Sequence, residues 1–245
     1  MTHPLVFCAV DTTDQKEAAA IVSKVAPHTG AVKLGLTFFN RNGPQGIEAI
    51  MAQNAGVSLF LDLKIHDIPM QVAGAVRAVV PLCPAFLTIH ASGGAEMMQE
   101  ASKAAHSEAE KLGLPRPRLL GITVLTSLDD DALAQVGQGK AGESAADQVL
   151  RLAKLAKASG LDGVVCSPLE VEALRRALGP DFILMVPGIR PAGSSLDDQK
   201  RVMTPGRAIA CGASHLVIGR PITGAEDPAA VIDAIMHDIA TEKAA

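Results

Sequence analysis

A (β/α)8 barrel, forming one domain over residues 1–245, is the fold this sequence predicts. Short apolar runs rich in branched residues alternate with alanine-rich helical segments from one end of the chain to the other. Eight such pairs fit into 245 residues, the count and length of a closed barrel. The first strand runs into Val10-Asp11-Thr12-Thr13-Asp14 without a glycine, so the Gly-rich turn of an open dinucleotide-binding sheet is missing.

The elements follow in order. Leu5–Val10 is apolar and opens the barrel; Asp14–Ala26 follows as a helix, with Asp14 and Glu17 at capping-box spacing. Ala31–Gly35 is the second strand and Gly43–Asn54 its helix. Val57–Leu63 leads into Ile68–Val80, where Asp67-Ile-Pro puts an acceptor and a first-turn proline at the helix start. Phe86–His90 pairs with Ala95–Lys111, Leu119–Leu125 with Glu143–Ser159, Gly163–Ser167 with Pro168–Leu178, Ile183–Val186 with Pro205–Cys211, and His215–Gly219 with Pro228–Ala240. Strands this continuously apolar belong to a parallel sheet covered on both faces. Two stretches break the pattern. Asp129–Gly142 reads as a short helix and loop, and the polar Arg190–Arg201 reads as a lid after strand seven.

Composition narrows the function. Apolar residues make up 48% of the chain and charged residues 20%; with no Trp, no Tyr and six Phe, the core must be aliphatic. A net charge of −4 gives no basic stripe for nucleic acid or an anionic membrane. No run approaches the ~18–20 apolar residues of a membrane span, and the amino-terminal residues have no signal-peptide pattern, so a cytoplasmic protein is expected. Cys8, Cys83, Cys166 and Cys211 form no C-x-x-C pair, which argues against zinc or a disulfide framework.

In a barrel, the carboxyl ends of the strands converge on one face. There the sequence delivers Asp11, Lys33, Asp62, Lys64 and Asp67, then His90 and Ser92, Thr126 and Ser127, Pro187-Gly188-Ile189-Arg190, and Gly219-Arg220. Asp62 and Lys64 alternate on one side of a strand. Each of these groups also has a plainer reading alone: Lys33 as a lysine reaching the rim, Asp67 as a helix cap, Asp11 as a turn acceptor, His90 as a satisfied histidine near the core. Together they suggest an alternating Asp/Lys array. Asp62, Asp67, His66 and His90 include metal-ligand types, but the two nearby lysines already neutralise the carboxylates and would repel a divalent cation. Glycine and arginine after strands seven and eight, with Gln199, suggest a phosphate monoester site.

Leu61–Pro69 reads Leu-Asp-Leu-Lys-Ile-His-Asp-Ile-Pro. With Val-Lys-Leu-Gly at 32–35, Thr-Val-Leu-Thr-Ser at 123–127, Pro-Gly-Ile-Arg-Pro at 187–191, Asp-Gln-Lys-Arg at 198–201 and Ile-Gly-Arg-Pro-Ile at 218–222, the chain closely resembles the orotidine 5′-phosphate decarboxylase family over essentially its whole length. The resemblance implies a barrel that works as a homodimer with shared active sites, without metal or cofactor, converting orotidine 5′-monophosphate to UMP and CO2 in de novo pyrimidine biosynthesis. It implies that Lys64 protonates C6, that Asp62 stands beside the departing carboxylate, that Lys33 links the charge array to the ribose, and that Asp67 comes from the partner subunit. It also implies ribose contact by Asp11, pyrimidine and lid contact by Thr126, and phosphate contact by Gln199, Gly219 and Arg220, with Pro187 and Arg190 beside them. The family usually has Asn-Thr after Asp-Ile-Pro, where this chain has Met70-Gln71. Gln71 can still donate and accept a hydrogen bond to substrate. The competing readings are a Mg²⁺-dependent keto-sugar-phosphate decarboxylase on the same kind of barrel, a metal-dependent sugar-phosphate epimerase, and a non-catalytic pyrimidine-nucleotide sensor.

Overall fold

The computed structural model describes residues 5–138, 143–191 and 203–244. Its strands are β1 (Val6–Val10), β2 (Ala31–Gly35), β3 (Ser58–Ile65), β4 (Phe86–His90), β5 (Arg118–Ile122), β6 (Gly163–Val165), β7 (Ile183–Val186) and β8 (His215–Ile218). They close into a barrel in sequence order, every neighbour parallel, with β8 pairing back onto β1. The helices are α1 (Gln15–Thr29), α2 (Leu36–Ala52), α3 (Pro69–Val79), α4 (Gly94–Leu112), α5 (Asp130–Gln135), α6 (Ala145–Ala158), α7 (Val171–Leu178), α8 (Pro205–Ala210), α9 (Arg220–Thr223) and α10 (Pro228–Ala244). The eight expected strands are present. Among the described residues, no helix is long and apolar enough to cross a membrane.

Two apolar layers follow from strand alternation. One side chain of each pair faces the helices and joins a shell that includes Val6, Cys8, Val10, Leu59, Leu61, Leu87 and Ile89. The other faces the barrel axis, where Phe7, Phe60, Phe86, Leu120, Ile183, Met185 and Val217 meet. Phe7 packs edge-on to Phe60 and Phe86 with ring centres 6.0 and 5.5 Å apart, and His215 sits 5.1 Å from Phe86. Phe86 and His215 are the first residues of their strands, so this cluster is the barrel floor.

Arginines tie the lower loops together. Arg116 grips Asp162 through two bonds of 2.8 and 2.7 Å, and Asp162 also accepts from Leu119 N–H. Arg175 donates to the carbonyls of Gly179, Pro180, Phe182 and Gly212 and to Ser214 Oγ. Such charge-assisted bonds satisfy carbonyls that turns leave without ladder partners.

Several boundaries differ from expectation for local reasons. α1 runs past Ala26 through Pro27 to Thr29, because left-handed Gly30 (φ 64°) ends it and its N–H bonds Ala26 O. α2 begins at Leu36, with a break at Gly43 (φ 63°) that separates an additional turn burying Phe38 from the segment expected at Gly43. β5 stops at Ile122 and β6 at Val165, so Thr126 stands on a loop. The capping box at Asp14 is only half formed: Asp14 accepts from Lys16 and Glu17 N–H, while Glu17 accepts from the Thr12 hydroxyl. Asp67 does not cap α3. Ile68 takes the cap position, and Asp67 Oδ1 accepts from Ile68 N–H at 2.7 Å. Short helix α9 was not anticipated. Of the lid-like stretch, residues 192–201 lie outside the described residues, as does Gln199; its flanks meet where Arg190 N–H donates to Met203 O at 3.1 Å.

The ladder between β3 and β4 carries the largest irregularity. Leu61 pairs with Leu87 and Ile65 with Ile89, so Asp62, Leu63 and Lys64 face Thr88 alone. Lys64 adopts φ 49°, one of two non-glycine residues with positive φ among those described. A bulge bends its strand and re-aims side chains, and a left-handed lysine costs about 1–3 kcal/mol.

Candidate active site

A cavity of about 280 Å³ opens at the carboxyl ends of the strands. Phe60, Ile122, Val165 and Val217 form its apolar base. Asp11, Lys33, Asp62 and Lys64 form one wall, and Pro187, Gly188, Arg190, Gly219 and Arg220 line the cavity after β7 and β8, with Thr126 at the β5 loop.

The charged wall is a chain of alternating sign. Lys33 Nζ lies 2.8 Å from Asp11 Oδ1 and 4.0 Å from Asp62 Oδ2, and Lys64 Nζ lies 2.7 Å from the same Asp62 oxygen. Lys33 and Asp62 are only 8% and 9% exposed, a depth at which an unpaired charge is not tolerated. Each finds its counter-charge because Lys33, Asp62 and Lys64 share the inward parity of Phe60. Gly35 leaves room for the array: a Cβ there would stand 3.2 Å from Lys33 Nζ. Two carboxylates and two ammonium groups cancel, so the wall has no net charge to draw a divalent cation. Among the described residues, no group of three or more His, Cys, Asp or Glu could hold a metal ion.

The lining after β7 and β8 is cationic. Arg190 is 8% exposed; one Nη donates to Ile189 O at 3.1 Å, and among the described residues its buried Nε has no acceptor. A buried donor without a partner is costly, and this one belongs to a residue that borders the cavity. Gly188 (φ 79°) makes the turn that carries Arg190 there. Gly219 and Arg220 open α9 directly after β8.

Other expected residues are arranged differently. Asp67 and Gln71 are exposed and do not line this cavity. Ser92 sits in the short turn Ala91–Gly93 after β4, and neither it nor His90 lines the cavity. His90 stacks on His66 with ring centres 5.1 Å apart. Burial, aided by His66 and Lys64 and opposed by Asp62, pushes the His90 imidazole down to about 4. It is therefore neutral at pH 7. Two residues were missed. Cys166 lines the cavity, and burial holds its thiol well above the ordinary range, so it presents a neutral wall rather than a nucleophile. Thr88, fully buried on β4, donates to Asp62 Oδ1 at 2.8 Å and accepts from Lys64 N–H at 2.9 Å. Its inward parity with Phe86 was legible; the bulge that brings it to Lys64 was not.

Comparison with known proteins agrees with this geometry. Residues 4–235 match the model of the orotidine 5′-phosphate decarboxylase / HUMPS family. Orotidine 5′-phosphate decarboxylase of Rhodospirillum rubrum is 53% identical over 98% of this chain and 95% of its own length. The enzyme of the same name from Paramagnetospirillum magneticum is 53% identical over 94% of this chain and 95% of its own. Among solved structures, orotidine 5′-phosphate decarboxylase from Lactobacillus acidophilus superposes with a TM-score of 0.84 at 39% identity, covering 97% of this chain and 99% of that one. With barrel, charged wall and near full-length identity in agreement, the chain belongs to the orotidine 5′-phosphate decarboxylase / HUMPS family.

Proposed function

We propose that this cavity decarboxylates orotidine 5′-monophosphate to UMP and CO2, a step of pyrimidine biosynthesis, with Lys64 as proton donor to C6 and with no metal or organic cofactor. The observation that carries the reading is the alternation Asp11–Lys33–Asp62–Lys64, whose two central members are buried.

Breaking the bond between C6 and the carboxylate leaves an electron pair in the ring plane, where no π system spreads it. An ammonium about 3 Å away, at an effective dielectric near 20, lowers the energy of that charge by about 5 kcal/mol. The carbanion then takes a proton from Nζ, and the neutral amine regains one from solvent. Asp62 holds Lys64 Nζ at 2.7 Å, so the ammonium is in position before the reaction starts. Lys33 links Asp62 to Asp11, which suits a ribose hydroxyl. Arg190, Gly219 and Arg220 take the phosphate, the family resemblance adds Gln199 as a further phosphate contact, and Pro187 and Thr126 border the ring. Arg190 Nε, buried and without an acceptor among the described residues, supports an anionic ligand on that side. Binding energy gathered at the phosphate orients the ring against Lys64.

Asp67 and Gln71 serve the cavity of a second copy in a homodimer. Their exposure supports this, as do exposed apolar neighbours, with Ile68 at 64% and Met70 at 69%. A sedimentation measurement giving a monomer would remove this part of the proposal.

The test is loss of orotidine 5′-monophosphate absorbance with and without EDTA, which a chain lacking Trp and Tyr leaves optically clear. Equal rates are expected. A rate abolished by chelator would overturn the metal-free part of the proposal, and no turnover in either arm would overturn the proposal.

A further inference from the structure

The bulge in β3 creates a problem that a single side chain solves. Three residues of β3 face one residue of β4, so Lys64 N–H has no carbonyl in the ladder to bond. Lys64 is also held at φ 49°, a conformation that lysine does not adopt unless its surroundings impose it. The residue opposite the bulge is Thr88, which is fully buried.

We propose that Thr88 is the positioning residue for Lys64, its hydroxyl tying the lysine's backbone and the Asp62 carboxylate into one rigid circuit. The direction of each bond is fixed by chemistry. A backbone N–H can only donate and an ionised carboxylate can only accept, so Thr88 Oγ1 accepts from Lys64 N–H at 2.9 Å and spends its one proton on Asp62 Oδ1 at 2.8 Å. Asp62 Oδ2 accepts from Lys64 Nζ at 2.7 Å. The circuit therefore leaves the lysine at its backbone nitrogen and returns to it at its side-chain nitrogen. It passes through both oxygens of one carboxylate, so neither Asp62 nor Lys64 can turn without breaking a bond made by the other.

Thr88 does not line the cavity, and it touches neither the space for substrate nor the cationic side. Its effect must therefore reach the reaction through the placement of Nζ. A misplacement of about 1 Å at a reacting group costs on the order of 100-fold in rate. Binding through Arg190 and Arg220 does not depend on this circuit.

The inference rests on the function proposed above, and the test separates the two. Thr88→Val keeps the shape and removes the hydroxyl; Thr88→Ser keeps the hydroxyl. With orotidine 5′-monophosphate as substrate, the Val variant is expected to lose about 10- to 100-fold in kcat, while KM and UMP affinity stay within about 3-fold of the parent. The Ser variant is expected to recover kcat to within about 3-fold, which a purely space-filling role would not produce. A Val variant with parental kcat, or a Ser variant as slow as Val, overturns the inference while leaving the function in place. If Val proves too unstable to assay, the Ser variant decides alone: near-parental kcat supports the circuit and a loss like that expected for Val overturns it. A parent that leaves the substrate untouched overturns the proposed function and this inference with it.

Discussion

Phe60 and Asp62 sit two residues apart on the inner side of the same strand, and they mark two regions built on opposite terms. Below, the floor packs the rings of Phe7, Phe60, Phe86 and His215 together in T-shaped and tilted contacts. Above, the mouth holds four alternating charges, a bulge, a left-handed lysine and a buried guanidinium nitrogen without an acceptor among the described residues. The floor is mostly apolar and aromatic, as strands prefer. The mouth violates several local preferences of a strand at once, and strain of that kind persists only where the surrounding structure over-determines it. The lower half holds the shape and the upper half uses it. Mutations should sort accordingly, into stability below and turnover or affinity above.

The sharpest cut is Lys64→Ala. It should lower kcat by at least about 10³-fold in the orotidine 5′-monophosphate assay, while UMP binding measured by calorimetry persists and Tm moves by no more than about 3 °C. Near-parental kcat would erase the distinction from above. Phe86→Ala makes the reverse cut. It should cost about 3–5 kcal/mol in chemical denaturation, yet the folded enzyme should keep kcat within about 3-fold. A catalytic collapse at parental stability would show that the floor takes part in the chemistry.

Arg220→Ala divides the mouth itself. It should weaken nucleotide binding by about 1.5–3 kcal/mol and leave affinity for the corresponding nucleoside unchanged; equal losses for both would detach Arg220 from the phosphate. The smallest effect concerns His90, whose pKa is depressed to about 4 against 6.5 for a free imidazole. At pH values between these two, the unfolded chain binds a proton that the folded chain refuses. The neutral imidazole's contribution is therefore complete above about 6.5 and is lost as pH falls toward 4. In His90→Gln, the drop in Tm from pH 7 to pH 5 should be smaller than in the parent. An identical drop would mean that His90 takes up its proton in the fold as readily as in the unfolded chain.

Much of this contrast was legible in the sequence. Alternation put Asp62 and Lys64 on one side of their strand, because a strand's period of two survives whatever packs around it, and Lys33 stood out as a charge interrupting an apolar run. Those same charges in apolar strands marked the mouth. Glycines with arginines after strands seven and eight marked the cationic side. What was not legible depended on two segments at once. A register slip belongs to a pair of strands, so neither the sequence of β3 nor that of β4 announces that Thr88 meets Lys64. Asp67 reads as a cap because Asp before Ile-Pro usually is one, but here its carboxylate turns back to the adjacent N–H instead. Leu36–Asn42 reads as a loop until the burial of Phe38 is known.

If Lys64 delivers a proton to pyrimidine C6, its ammonium must reach that atom, and a crystal structure with bound UMP shows whether it does. Nζ of Lys64 is expected within about 3.5 Å of C6, still bonded to Asp62, with the phosphate against Arg220. A ring bound with C6 turned away from Lys64, or Nζ swung out into bulk water, would contradict it.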